Sequence, residues 1–197
     1  MTGDDETIRV YGSEAARYAA FSEGQEAIPA LSDFIARLPR GGQALDLGCG
    51  PGWAAARMAA EGLNVTATDA TPEMVELAAR HPGVAARCAT FDDLGGTDLY
   101  DGIWAHFCLL HAPRADLPRH ICALARALKP GGWFHIGMKT GTGAARDRIG
   151  RLYTYVTAAE LDDLLRAAGF CPHQTERGED PGLDGTVAPW ITVLARG

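Results

Sequence analysis

One stretch constrains this chain more than any other: Asp46-Leu47-Gly48-Cys49-Gly50-Pro51-Gly52. The apolar run Ala44 to Leu47 leads into it and reads as a buried strand. A helix is expected next, from about Gly52 to Glu61, with Gly62 as its stop. Glycines at alternate positions let the backbone turn sharply and let a ligand approach the main chain. Free N–H groups at the helix start favour a carboxylate or another anion. The spacing is G-x-G-x-G. It differs from the G-x-G-x-x-G of a dinucleotide fingerprint, whose third glycine serves helix–sheet packing beside a pyrophosphate. Taken alone, the loop also fits a strained turn that binds nothing.

The remaining chain alternates helix and strand, which predicts an α/β fold on a mostly parallel sheet. Apolar residues at three- and four-residue spacings cover Ser13 to Leu38, among them Tyr18, Phe21, Leu31, Phe34 and Leu38. Ser22-Glu23-Gly24 is expected to split that helical segment. Val65 to Thr68 is the second strand, with Asp69 at its end. Thr71-Pro72-Glu73 starts a helix: a cap, a first-turn proline and an acid near the positive helix end. Val84 to Ala89 is a weaker strand and Tyr100 to His106 the fourth. Leu117 to Leu128 carries a one-sided apolar stripe. Lys129-Pro130-Gly131-Gly132 reads as a turn into the fifth strand, Trp133 to Met138. Thr157 caps a helix over Ala158 to Ala168. Two closing strands, Cys171 to Glu176 and Thr186 to Ala195, flank a polar loop from Arg177 to Gly185. Such a hairpin makes the late sheet mixed.

The length of 197 residues fits one domain. A net charge of -7 gives no broad attraction to phosphate backbones, so nucleic-acid binding is disfavoured. Arg146, Arg148 and Arg151 are either a local basic patch or a solvated face. The opening MTGDDETIRV has neither a basic start nor an apolar core, so no secretory signal is expected. No apolar run reaches the roughly 20 residues of a membrane span. The 5 cysteines are scattered without a C-x-x-C pair, which argues against a disulfide framework or a zinc site and for a reducing cytoplasm.

Several residues carry chemistry. Asp69, about twenty residues past the loop, can accept both hydroxyls of a ribose. It can equally cap the helix at Thr71-Pro72. His106 ends the fourth strand at the carboxyl edge, where open α/β sheets bind ligands. A neutral imidazole there can take a proton from an oxygen or nitrogen nucleophile, or it can shape the pocket through a hydrogen bond. His111 is a second candidate on the same terms. No metal is expected from this pair: a spacing of five puts them on different helical faces, and no acid accompanies them. Tyr11 and Tyr18 either contact ligand or pack the N-terminal segment. Arg148 and Arg151 follow the fifth strand, together with Tyr153 and Tyr155. They fit a wall for an anionic acceptor, or a solvated loop.

Leu45 to Gly52 resembles motif I of the class I S-adenosylmethionine-dependent methyltransferases. Asp69 resembles that family's ribose-binding acid, Tyr100-Asp101-Gly102-Ile103 its fourth strand, and Leu128-Lys129-Pro130-Gly131-Gly132 its turn before strand five. The resemblance runs from Tyr11 to the C-terminus. It implies a Rossmann-like, doubly wound, seven-stranded α/β sheet of order 3-2-1-4-5-7-6 with its last strand antiparallel. It implies a single domain, 1–197, whose helical segment 1–40 covers the cofactor site. The cofactor implied is S-adenosylmethionine. The backbone near Gly48 and Gly50 would hold its methionine part, in a set that includes Asp46, Cys49, Gly52 and His106. Ala70 would pack on the adenine. The family usually offers an acid to adenine after strand three; here that position falls on Thr90, with Asp92 or Asp93 as substitutes and Phe91 as a stacking or core residue.

The function implied is methyl transfer to a small-molecule acceptor, by a monomer or homodimer. Tyr11, Tyr18, Arg148 and Arg151 would lie on the substrate side, and His106 or His111 would remove a proton. Three alternatives stay open: a cofactor-binding regulator that does not methylate, methylation of tRNA or protein, and a nicotinamide oxidoreductase. The last lacks an evident Tyr-x-x-x-Lys group. No Asn-Pro-Pro-Tyr motif follows the fourth strand, which disfavours methylation of adenine bases.

Overall fold

A computed structural model describes residues 4–24 and 27–197. The strands are β1 (Gln43–Leu47), β2 (Asn64–Asp69), β3 (Val84–Cys88), β4 (Tyr100–His106), β5 (Leu128–Lys139), β6 (Ala144–Arg146), β7 (Leu152–Thr154), β8 (Cys171–Pro181) and β9 (Val187–Arg196). The helices are α1 (Asp5–Ser13), α2 (Ala15–Phe21), α3 (Pro29–Ile35), α4 (Trp53–Ala60), α5 (Pro72–Ala78), α6 (Leu117–Ala127) and α7 (Ala158–Ala167). Seven strands form one sheet in the order β3-β2-β1-β4-β5-β9-β8, and β6 pairs with β7 apart from it. Without that small hairpin the order is the expected 3-2-1-4-5-7-6. Strand β9 runs antiparallel to both β5 and β8.

Strand periodicity sorts the core onto the two faces. Leu45 and Leu47 of β1, Ile103 and Ala105 of β4, and Phe134 and Ile136 of β5 join α6 and α7 through Ile121, Leu124, Leu161 and Leu165. The opposite face joins Ala44, Trp104 and Val65 to Leu31 and Phe34 of α3 and Met58 of α4. Each helix shields one stripe, so the functional loops are left at the carboxyl edge.

Three boundaries differ from the sequence reading. Helix α1 starts at Asp5 rather than near Ser13, because the Asp4 carboxylate caps it by accepting from the Thr7 N–H at 2.9 Å. The split at Ser22 to Gly24 is present; the helical segment also crossed Gln25 and Glu26, which lie outside the described residues. The expected turn at Lys129 to Gly132 is instead a bulge within β5: Tyr100 pairs with Leu128, but Gly102 pairs with Trp133. The polar stretch expected as a loop from Arg177 onward continues β8 as far as Pro181. Strand β8 is an edge strand, so both its faces tolerate polar residues.

A carboxylate below the glycine loop substitutes for the missing cap of α4. Gly52 is the N-cap residue and has no side chain, and Asp46 accepts from the Ala55 N–H at 3.0 Å. Asp46 is only 3% exposed. Burial pushes its pKa up to about 7. A carboxyl with a raised folded pKa stabilises the fold less as pH rises from its unfolded value through the folded one. Asp46→Asn, which keeps the acceptor oxygen, should therefore gain melting temperature relative to wild type as pH moves from 4 to 7.5. Asp46→Ala, which orphans the Ala55 N–H, should lie about 1 kcal/mol below Asp46→Asn at either pH. Thermal melts of the three proteins at both pH values check this.

Candidate functional site

The loops at the carboxyl ends of β1, β2 and β4 enclose a cleft, and α1 and α2 lie across it. Its wall includes Gly48, Gly50, Asp69, Ala70, Phe91 and His106. The glycine loop and the acid after β2 are thus brought together. Both Asp69 oxygens hold backbone: one accepts from the Gly50 N–H at 2.9 Å, the other from the Thr71 N–H at 2.9 Å. Burial raises the Asp69 pKa, against the lowering effect of those bonds. Each oxygen keeps a further lone pair for a ligand.

The loop's own N–H groups are largely spent. Cys49 donates to the Thr68 carbonyl, Gly52 to the Cys49 carbonyl, and Gly50 to Asp69. Two carboxylates and an internally bonded loop make a poor cradle for a phosphate. Gly48 has a separate reason to be glycine. A β-carbon there would lie 2.3 Å from Cβ of Cys108, so β1 and the segment after β4 could not approach as they do. Gly52 faces Ala78 and His81, away from the cleft. Asp46 and Cys49 sit behind the loop, around a smaller recess they share with Tyr18, Trp53 and His106.

The adenine-side candidates separate. Thr90 and Phe91 line the cleft. Asp93 turns back to accept from the Thr90 N–H and hydroxyl, both at 2.8 Å. Asp92 pairs with Arg119 at 2.6 Å.

A second, outer cavity of about 360 Å³ opens beyond the first. The two share Tyr11, Tyr18, His106, Phe107 and His111. Among the aromatic rings of the outer chamber are Phe21, Tyr153 and Trp190, with Lys139 at the end of β5 and the acids Glu176 and Asp180 near its rim. Lys139, Leu110 and Trp190 were not singled out in the sequence. Lys139 and Trp190 come together because β9 returns beside β5, a pairing no local motif announces.

His111 and Tyr11 belong to one hydrogen-bonded latch. The His111 Nδ1 lies 2.6 Å from the Leu152 carbonyl, an acceptor, so Nδ1 carries the proton. Its Nε2 then accepts from the Tyr11 hydroxyl at 2.9 Å. That hydroxyl in turn accepts from Arg151 at 2.8 Å. Arg151 is 2% exposed, packs against the rings of Tyr11 and Tyr153 with its carbon 5.2 Å from each centroid, and ion-pairs with Asp147 at 2.7 Å. Arg151 thus reaches the outer cavity with its charge already matched. Arg148 is exposed and lies off both cavities. Burial pushes the Tyr11 hydroxyl up to about 12 and His111 down to about 4. The Leu152 N–H donates to the Thr7 hydroxyl at 2.8 Å, and Arg146 bonds Asp4 at 2.7 Å. Together these contacts seat α1 on the β6–β7 hairpin.

His106 stands on the wall common to both cavities. Its ring lies 5.0 Å from Trp104 in a near-parallel stack, and its Nδ1 is 2.9 Å from Nε2 of His135. Nε2 is the nitrogen left for the cleft. Burial lowers the His106 pKa to about 4, so the ring is neutral at pH 7.

A methyltransferase-domain family profile matches residues 44–132. A ubiquinone biosynthesis O-methyltransferase from Xylella fastidiosa is 33% identical over 193 residues, covering 80% of this chain and 78% of the relative. One from Xanthomonas oryzae pv. oryzae is 36% identical over 126 residues, and there the match spans 59% of this chain and only 52% of the relative. Among solved structures, the 1,6-didemethyltoxoflavin-N1-methyltransferase of Burkholderia thailandensis, bound to 1,6-didemethyltoxoflavin and S-adenosylhomocysteine, superposes with a TM-score of 0.80. It is 27% identical, and the match covers 98% of this chain and 87% of that one.

The latch makes a prediction about α1. Tyr11→Phe removes two hydrogen bonds, so opening of α1 should become easier by about 1–2 kcal/mol. Amide exchange over residues 8–13 should then speed by roughly tenfold, with β1 and β4 unchanged. His111 has a depressed pKa, so its contribution is complete above about pH 6.5 and is lost as pH falls toward 4. Protection of the α1 amides in wild type, taken relative to their intrinsic exchange rate at each pH, should fall across that window, which hydrogen-exchange mass spectrometry reads.

Proposed function

We propose that this chain, which belongs to the class I S-adenosylmethionine-dependent methyltransferase family, methylates a small aromatic acceptor held in the outer cavity. The observation that carries this reading is the shared wall. Tyr11, Tyr18, His106, Phe107 and His111 face both the inner cleft and the outer chamber. A donor on one side and an acceptor on the other would meet there.

The inner cleft fits the family's cofactor on the geometry described. Asp69 would accept from ribose hydroxyls with its remaining lone pairs, Ala70 and Phe91 would flank the adenine, and the loop at Gly48 and Gly50 would hold the amino-acid end. Asp46 and Gly52 act behind that surface, by holding α4 and by packing on α5. When bound, S-adenosylmethionine supplies an activated methyl group, taken by the acceptor's lone pair as the carbon–sulfur bond breaks and its electrons return to sulfur. The protein's share is to align the two reactants and exclude water. Helices α1 and α2 do the second, closing over the cleft through Tyr11 and Tyr18.

The outer chamber suits a planar acceptor of one or two rings. Its size falls in the range of small-molecule sites, and Phe107, Tyr153 and Trp190 offer aromatic faces. The names of the similar proteins agree with an aromatic or heteroaromatic acceptor methylated at oxygen or nitrogen. Such a group must lose a proton, and neutral His106 would take it at Nε2.

Methyl-labelled S-adenosylmethionine should be turned over with catechol or 1,6-didemethyltoxoflavin as probes. His106→Ala should lower kcat by roughly a hundredfold with those probes and leave methylation of a small thiolate nearly unchanged. Label transferred to tRNA or protein, with none on any small molecule, would overturn the proposal.

A further inference from the structure

A proton taken by His106 leaves a charge in a half-buried ring, and the structure contains a way out. Trp104 pairs with His135 across β4 and β5, and the two rings stack at 3.7 Å and 13°. That stack holds His135 Nε2 at 2.9 Å from His106 Nδ1. The next pair in the same register is His106 with Gly137. A β-carbon on Gly137 would sit 3.3 Å from His106 Nδ1 and 3.1 Å from the Phe107 nitrogen, so the bare glycine leaves room for the His106 ring to reach His135. His135 is 2% exposed and also borders a small separate cavity of about 10 Å³ with Asp33, Gln174, Glu176 and Thr192. That space is on the order of one water molecule. His106, half-buried, and His135, buried, therefore span from the cleft to a polar pocket on the α3 side of the sheet.

We infer that His135 is a proton-relay partner of His106, passing the acceptor's proton from the cleft to water in the small cavity. The inference rests on the methyl-transfer reading for its acceptor. The acceptor's O–H or N–H bond breaks, and an Nε2–H bond forms on His106. The Nδ1–H of His106 breaks as the Nε2–H of His135 forms. The Nδ1–H of His135 then yields its proton to water. Each ring gains one proton and gives one up, so neither stays charged and one proton reaches solvent. Both rings end as the opposite tautomer. They return to the first once product has left: His106 Nε2–H gives its proton to water in the cleft, His135 Nε2–H passes its proton back to His106 Nδ1, and His135 Nδ1 takes one from water in the small cavity.

The groups facing the pair are Asp33 from α3 and Glu176 from β8 at the small cavity. In the recess behind the glycine loop they are Tyr18 from α2, Asp46 from β1 and Cys49, and in the cleft Tyr11 from α1, Tyr18, Asp69 from β2, and Cys108 and His111 after β4. The carboxylates at the outlet favour departure of a proton in that direction.

Two variants separate relay from mere support. His135→Phe keeps a ring on Trp104 but offers no hydrogen bond. His135→Gln keeps a partner for His106 Nδ1 but cannot pass a proton on. With catechol, both should lose roughly tenfold to a hundredfold in kcat near neutral pH, with S-adenosylhomocysteine affinity unchanged. The deficit should shrink as pH rises, because the ionised acceptor needs no proton removed. Nitrogen-15 NMR of histidine-labelled wild type should find Nδ1–H on both His106 and His135. A wild-type rate and pH profile in His135→Gln would overturn the relay and leave only orientation. An Nε2–H tautomer on His106 in the free protein would overturn it as well. The NMR readout needs no turnover, so it judges the relay separately from the methyl-transfer reading.

Discussion

The carboxylate of Asp69 accepts backbone N–H groups from Gly50 and from Thr71, and so joins the loop after β1 to the loop after β2. Those loops are adjacent because β1 and β2 are parallel neighbours in register, Leu47 beside Thr68. The same acid presents its remaining lone pairs to the cleft. One group thus sets the backbone of the site and offers itself to a ligand. Asp46 does the corresponding work beneath the loop by capping α4. Two carboxyls this close, one buried and one half-buried, destabilise each other, and Asp69 is among the causes of the rise at Asp46. The fold tolerates that strain because each carboxyl is bonded to backbone.

Aromatic and basic residues assemble the roof. The bonds from Arg151 to Tyr11, from Tyr11 to His111 and from His111 to the Leu152 carbonyl bring α1, the segment after β4 and the β6–β7 hairpin together. Each donor has one acceptor, so the protonation of every member follows from the carbonyl at its end. A roof held by directional bonds can be released by a ligand that competes for one of them. His106 stands outside this network and faces the floor, where Trp104 and His135 support it. The two histidines singled out in the sequence therefore differ in place: one latches the roof, the other stands on the wall common to both cavities.

The topology was legible because strand and helix signals alternate along the chain and the glycine loop marks the first crossover. The loop, Asp69, Ala70, Phe91, His106 and the two tyrosines gather at one cleft because all but the tyrosines lie at or just after a strand's carboxyl end. What sequence reasoning placed poorly depends on long-range pairing. Arg151 reads as a free cation until Asp147 is found against it. Asp92 reads as an adenine acid until Arg119 of α6 is found to hold it. His135 drew no attention, since a histidine within an apolar strand carries no motif, and only the β4–β5 register sets it against His106. The bulge at Lys129 to Gly132 hides in the same way, as a turn signal absorbed into a strand.

The central claim is that the cleft under α1 and α2 holds the family's sulfur cofactor through Asp69. Calorimetric titration with S-adenosylhomocysteine, using wild type and Asp69→Asn, tests it most directly. The account predicts micromolar binding to wild type and a loss of roughly tenfold or more in the variant, with circular dichroism showing the fold retained. Absence of binding to wild type, equal binding to both proteins, or preferential binding of NADH would contradict it.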